Sequence, residues 1–164
     1  MTYRRFGAMI AVSTIVMYGL MYLNTFALDH VLFSQTRLWM ALLMGSVMAI
    51  VMLLFMLSMY TNRAANLAVL AGAAMVFAGS LWLVRSQETV GDLDYMKAMI
   101  PHHSIAILTS SRARIHDPRV RELADDIIAA QVREIGTMKR LIADLEQNPV
   151  PGNAPELAPT VPTR

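Results

Sequence analysis

The stretch Leu38–Tyr60, LWMALLMGSVMAIVMLLFMLSMY, carries no charged residue. About 20 such residues suffice for a helix to cross a ~30 Å hydrocarbon core. Two flanking stretches repeat the pattern, Gly7–Leu28 before it and Ala64–Val84 after it. Aromatic residues mark the expected interfaces: Tyr3 and Phe6, Trp39, Tyr60 and Trp82. Working outward from 38–60, the sequence predicts three transmembrane helices, at about 7–28, 38–60 and 64–84, within a membrane domain of residues 1–86. The first exceeds the apolar core of a signal peptide and is followed by no small-residue cleavage site, so it reads as an uncleaved anchor.

Composition agrees. Of 164 residues, 55% are hydrophobic, and the mean hydropathy is +0.45. A net charge of +2 without a basic patch argues against nucleic acid as a partner. The absence of cysteine removes disulfides and thiolate metal sites, leaving His, Met, Asp, Glu and Gln as donors.

Arg4, Arg5 and Arg63 fall on one side of the expected membrane, while Asp29, His30 and Arg37 share the other with everything after Val84. The positive-inside rule then puts the N-terminus in the cytoplasm and the C-terminal segment in the periplasm of a bacterial inner membrane. Met40, Met44, Met48, Met52 and Met56 form a ridge at four-residue steps along the second span. With no His or carboxylate beside it, the ridge reads as adaptable helix packing, and only secondarily as a thioether ladder. Ala64, Ala68 and Gly72, then Ala74 and Ala78, give small-residue spacing for close helix contact in the third span.

Beyond Arg85 the chain turns polar. Thr89-x-x-Asp92 reads as a capping box that opens a helix to about Arg114. Asp117-Pro118 reads as N-cap and N1 of a second helix to about Gln147. Residues 87–147 are thus expected to form an extracytoplasmic antiparallel helix hairpin, and 148–164 a disordered proline-rich tail. On the second helix Val120, Ala124, Ile127, Gln131, Glu134, Met138, Leu141 and Leu145 repeat in steps of four and three, the seam of a helix packed along a neighbour. Asp92, Met96, Met99, His103, Ala106 and Ser110 form the facing row. Folding about residue 115 sets Met99 opposite Gln131, Met96 opposite Glu134 and Asp92 opposite Met138.

Thioethers and imidazoles in that set suit copper, with Cu(I) favoured and Cu(II) allowed. The Glu-x-x-His pairs of a ferritin-type dimetal oxidase are missing. His102 and His103 point ~100° apart on a regular helix, so His103 lies on the seam and His102 at its edge. Pro101 is expected to kink the helix just before them. The competing reading makes the methionines core fillers and the histidines ordinary polar residues.

The pattern Asp92-x-x-Tyr95-x-x-x-Met99-Ile100-Pro101-His102-His103-x-x-Ala106, followed by Leu123-Ala124 and Gln131-x-x-Glu134-Ile135-x-x-Met138, resembles the family called domain of unknown function 305. That resemblance implies ferritin-like helical proteins, secreted or membrane-anchored, some of which bind copper and support copper tolerance. It implies metal ligation by Met96, Met99, His102, His103 and Met138, with Asp92 and Glu134 as further ligands. Tyr95 stands where phenylalanine is usual, and the methionine-rich extensions of strong copper binders are absent.

Leu123, Ile128, Ile135 and Ile142 read as a second apolar stripe that needs a partner. A four-helix bundle in a homodimer or higher homo-oligomer would supply one. The expected fold is all-α, and the expected function is non-enzymatic: membrane-anchored copper binding for tolerance, buffering or delivery, with a copper-handling protein as a further partner. The alternatives are an interaction module without metal and a metal-dependent redox enzyme.

Overall fold

The computed structural model describes residues 2–158 and 160. Among them the protein is all-α, with five helices: α1 Tyr3–Leu20, α2 Gln35–Phe55, α3 Arg63–Ser86, α4 Asp92–Arg112 and α5 Pro118–Gln147. Local chemistry sets most ends. The Ser34 hydroxyl accepts from the Arg37 N–H at 3.2 Å, and the Asn62 side-chain amide oxygen, Oδ1, from the Ala65 N–H at 3.0 Å. The Asp117 carboxylate accepts from the Arg119 N–H at 2.9 Å, with Pro118 next in line. Each satisfies a donor that the first helical turn leaves free. α3 stops where Gln87 enters the left-handed region at φ 56°.

α2 is the central helix of the first three, packed on α3 and α1. Its buried row is small: Ala41, Gly45, Ser46, Ala49, with Leu53 at the end. Gly45 lies so close to Thr14 of α1 that a Cβ there would collide with its hydroxyl. On α3 the buried residues are Asn66, Ala73 and Ser80, seven apart. The small-residue spacing read from the sequence is therefore offset. Ala64, Ala74 and Ala78 are exposed, and Ala68 and Gly72 line an apolar cleft of about 540 Å³ between α1, α2 and α3. Met52 and Met56 of the methionine ridge pack beside Leu53, Tyr60 and Ala73. At the end bearing Arg4, Arg5 and Arg63, the buried Asn66 amide donates to the Tyr60 carbonyl at 2.8 Å and accepts from the Tyr3 hydroxyl at 2.8 Å.

Three sequence expectations change here. α2 and α3 are long and apolar enough to cross a membrane, but α1, with Arg4 and Arg5 in its first turn, is not. The expected first span of 7–28 stays α-helical only to Leu20, and Met21–Asn24 is a turn. Tertiary contacts end it: an Arg37 amino group bonds the Met21 carbonyl, and the guanidinium sits 4.3 Å over the Tyr22 ring. The capping box at Thr89 does not form, because Gly91 takes the N-cap position and Asp92 the first helical turn. In the tail, residues 149–158 have no helix or strand, while Pro159 and 161–164 lie outside the described residues.

α4 and α5 pack antiparallel, Lys97 meeting Glu146 at 2.8 Å and Arg121 reaching the Ser110 carbonyl at 3.0 Å. Pro101 lies inside α4. The interface buries Met96, Ile100, Ile107, Ile135 and Met138, flanked by Leu93, Met99, Ile128, Ile142 and Leu145. The α5 seam is thus Ala124, Ile128, Gln131, Ile135, Met138, Ile142 and Leu145, rotated by about half a residue step, or ~50°, from the expected row. Ile128, Ile135 and Ile142, expected to face a further partner, are core residues of the hairpin itself.

Candidate metal centre

The proposed ligands separate into three places. Met96 and Met138 are buried in the α4–α5 core, and Met99 packs at its margin. They sit there because 96, 99 and 103 share one face of α4, and 131, 135 and 138 one face of α5. His103 closes the edge of this cluster, its Nδ1 3.0 Å from Glu134 Oε2. The approach is not aligned as a hydrogen bond, so Nδ1 is buried without a partner. Burial pushes the His103 imidazole below its ordinary pKa, the Glu134 carboxylate opposes that shift, and His102 adds to it. A neutral ring keeps a lone pair at physiological pH.

His102 is exposed and faces elsewhere, into a cleft lined also by Met99 and Tyr95. Its ring centroid is 5.9 Å from that of His103, at an interplanar angle of 59°. Asp92 lies in the first turn of α4, eleven positions before His103 and about 16 Å away along the axis. It borders a shallow depression with Leu145, Pro149 and Val150.

The register explains the difference from the sequence reading. Glu134 was expected opposite Met96 and instead meets His103, one heptad later. With ~1.5 Å rise per residue, that pairing starts α5 about 10 Å beyond the end of α4. Residues 113–117, extended at Ala113 and Asp117, bridge the offset at roughly 3.3 Å each. Val120 and Leu123 in the overhanging first turns of α5 consequently remain exposed.

The donor set is soft. Among the described residues no three His, Asp or Glu side chains converge as a metal site, so a metal held here would need thioether donors beside imidazole. Such donors fit Cu(I) and fit zinc or non-haem iron poorly.

Sequence reasoning missed a polar seam between the α1–α2 loop and the hairpin. Ser104, fully buried, accepts from the Phe26 N–H at 2.7 Å and lies 2.9 Å from His30 Nδ1. Gln35 donates to Asp94 at 2.8 Å, and Lys139 pairs with Asp29 at 2.5 Å. Leu32 joins the hairpin core. The signal for it in the sequence is the Asp29-His30 pair, which interrupts an otherwise apolar region.

A stretch of 64 residues is 41% identical to an uncharacterized protein of Acanthamoeba polyphaga mimivirus, covering 38% of this chain and 42% of the relative. The chain thus spans less than half the length of the relative that it matches. No solved structure matches. Residues 92–160, comprising α4, α5 and the segment after them, match the family described as Domain of unknown function (DUF305).

Proposed function

We propose that the protein is a membrane-anchored, non-catalytic copper-binding protein whose hairpin holds Cu(I) through Met96, Met99, Met138 and His103, with Glu134 beside the imidazole. The observation that carries this reading is a single core cluster that buries Met96 and Met138 and packs Met99 at its margin, with the buried Nδ1 of His103, one helical turn after Met99, left without a hydrogen bond. Soft neutral donors away from bulk water favour a soft monovalent cation. Glu134 offsets part of the ion's charge. Asp92 is left out of the set because of its distance along α4, and His102 because of the way it faces.

The anchor is α2 and α3, with α1 laid against α2. α3 is mostly unburied although it is apolar enough to span, which distinguishes it from the core helix of a soluble protein. Arg4, Arg5 and Arg63 at one end favour that end in the cytoplasm and the hairpin outside. A second copy is the proposed partner. Val120, Leu123 and Leu141 lie on one face of α5 and remain exposed, leaving an apolar stripe for helix packing.

Titration of the full chain in detergent with Cu(I), under reducing conditions against a chromogenic Cu(I) chelator, tests the copper reading. Met138→Ala and His103→Ala are each expected to weaken binding by at least the roughly tenfold that loss of even an outer-shell partner costs a metal site. Weak binding that neither substitution alters would refute it. The mass of the protein in the micelle tests the dimer, and a monomer would refute that part alone.

A further inference from the structure

A second cleft, of about 200 Å³, opens where the outer ends of α2 and α3 meet α4. Its polar lining is Ser34, Thr36 and Arg37 from the start of α2, Gln87 just after α3, and Tyr95 and His102 from α4. No carboxylate lines it. Asp94, the nearby acid in the first turn of α4, is engaged by Gln35 instead.

Arg37 is half-buried. Its guanidinium stacks on Tyr22 and bonds the Met21 carbonyl, but among the described residues no carboxylate lies within 4.0 Å of it. A partly desolvated cation without a counter-ion is costly unless an anion completes it. The α2 terminus adds free backbone N–H groups and the positive end of a 21-residue helix dipole at the same spot. The neighbouring hydroxyl, amide and imidazole groups can all donate to oxygen. The volume lies below the ~300–1,000 Å³ of pockets for drug-sized ligands and suits a compact anion.

We propose that this cleft is a phosphate-binding site in which Arg37 supplies the charge and Thr36, Gln87, Tyr95 and His102 supply hydrogen bonds. The phosphate arrives either as the headgroup of an anionic lipid or as free inorganic phosphate. The lipid source rests on the membrane reading above, because the cleft then lies at headgroup depth. The phosphate source does not. His102 thereby serves an anion.

The test uses the full chain. Native mass spectrometry compares retention of phosphatidylglycerol with phosphatidylcholine, and inorganic phosphate is titrated against the unfolding temperature in neutral detergent. The expected result is preferential phosphatidylglycerol retention, or saturable stabilisation by phosphate, reduced about tenfold in Arg37→Gln by loss of a charge-assisted pair. Thr36→Val and Gln87→Ala should each weaken it by about threefold, one neutral hydrogen bond apiece. If neither probe binds the wild type in preference to Arg37→Gln, the proposal is wrong. Should Arg37→Gln fail to fold, unchanged binding in both Thr36→Val and Gln87→Ala overturns it instead. Release of the chain by alkaline carbonate would refute the membrane reading and the lipid source, leaving phosphate titration to decide the cleft.

Discussion

The α1–α3 unit and the α4–α5 hairpin meet the burial problem in opposite ways. In α2 and α3 most inward residues are small (Gly45, Ala49, Ala73, Ser80), Leu53 at the end of α2 being the large exception, while Leu67, Met75 and Trp82 face outward. In the hairpin the inward residues are large (Ile100, Ile107, Ile135, Met138), and charges face outward. Small contacts bring backbones close where the surroundings are as apolar as the side chains, so that van der Waals packing drives association. Large contacts extract apolar area from water. The contrast is the one that the proposed membrane anchor predicts, with α2 and α3 facing lipid and the hairpin facing water.

Truncation should break this symmetry first. Ile100 is fully buried, so Ile100→Ala is expected to destabilise the hairpin by about 2–5 kcal/mol, read from denaturant unfolding followed at α4–α5. Leu67→Ala, on the exposed face of α3, should change stability in lipid by less than about 0.5 kcal/mol. Equal effects at the two sites would mean that both units bury their large residues in the same solvent. Ser104→Ala comes next. It would leave the Phe26 N–H without its acceptor and remove the His30 contact, at a cost of about 1–3 kcal/mol. A value near zero would show that the loop does not depend on this bond to hold the hairpin against the three-helix unit.

Legibility in the sequence followed the same division. α2 and α3 could be read because absence of charge over some twenty residues is a one-dimensional signal that needs no partner. The start of α5 could be read because Asp117 and Pro118 act within one turn. The end of α1 could not, since Arg37, sixteen positions beyond Met21, stops it. The hairpin register could not either: a four-three repeat looks the same after a slip of one heptad, and the choice lay in the extension of residues 113–117. That slip moved Glu134 from Met96 to His103, so the candidate donors were legible as residues but not as neighbours. Ser104 was invisible because a serine beside two histidines gives no sign of a partner in a loop 74 positions earlier.

Acidification should act more weakly, and on the junction and hairpin. Burial pushes His30 below its ordinary pKa, Lys139 adds to that, and Asp29 opposes it; His103 is lowered in the same direction. For a base whose folded pKa is depressed, the unfolded chain binds the extra proton first, so stability rises with pH through this range. Stability is therefore complete above the ordinary imidazole value of 6.5 and falls as pH drops below it. Unfolding temperatures at pH 7.5 and 5.5 should differ in the wild type, and the difference should shrink in His30→Asn. An undiminished difference in that variant would assign the effect to His103 or to exposed groups.

The smallest effect belongs to the other bond across the same junction. Lys139 and Asp29 form an ion pair at 2.5 Å, and the lysine's hydrogen bond holds the Asp29 carboxyl below its usual range. Asp29 is nevertheless exposed, so water and salt screen the pair and both side chains lose freedom in forming it. Lys139→Ala is expected to leave the unfolding temperature unchanged at 0.15 M salt and to lower it only slightly at low salt. Ser104→Ala should show no such salt dependence. If Lys139→Ala proved the more damaging, the loop would be held by charge at its rim. The expected order instead puts the attachment in an uncharged, dry hydrogen bond.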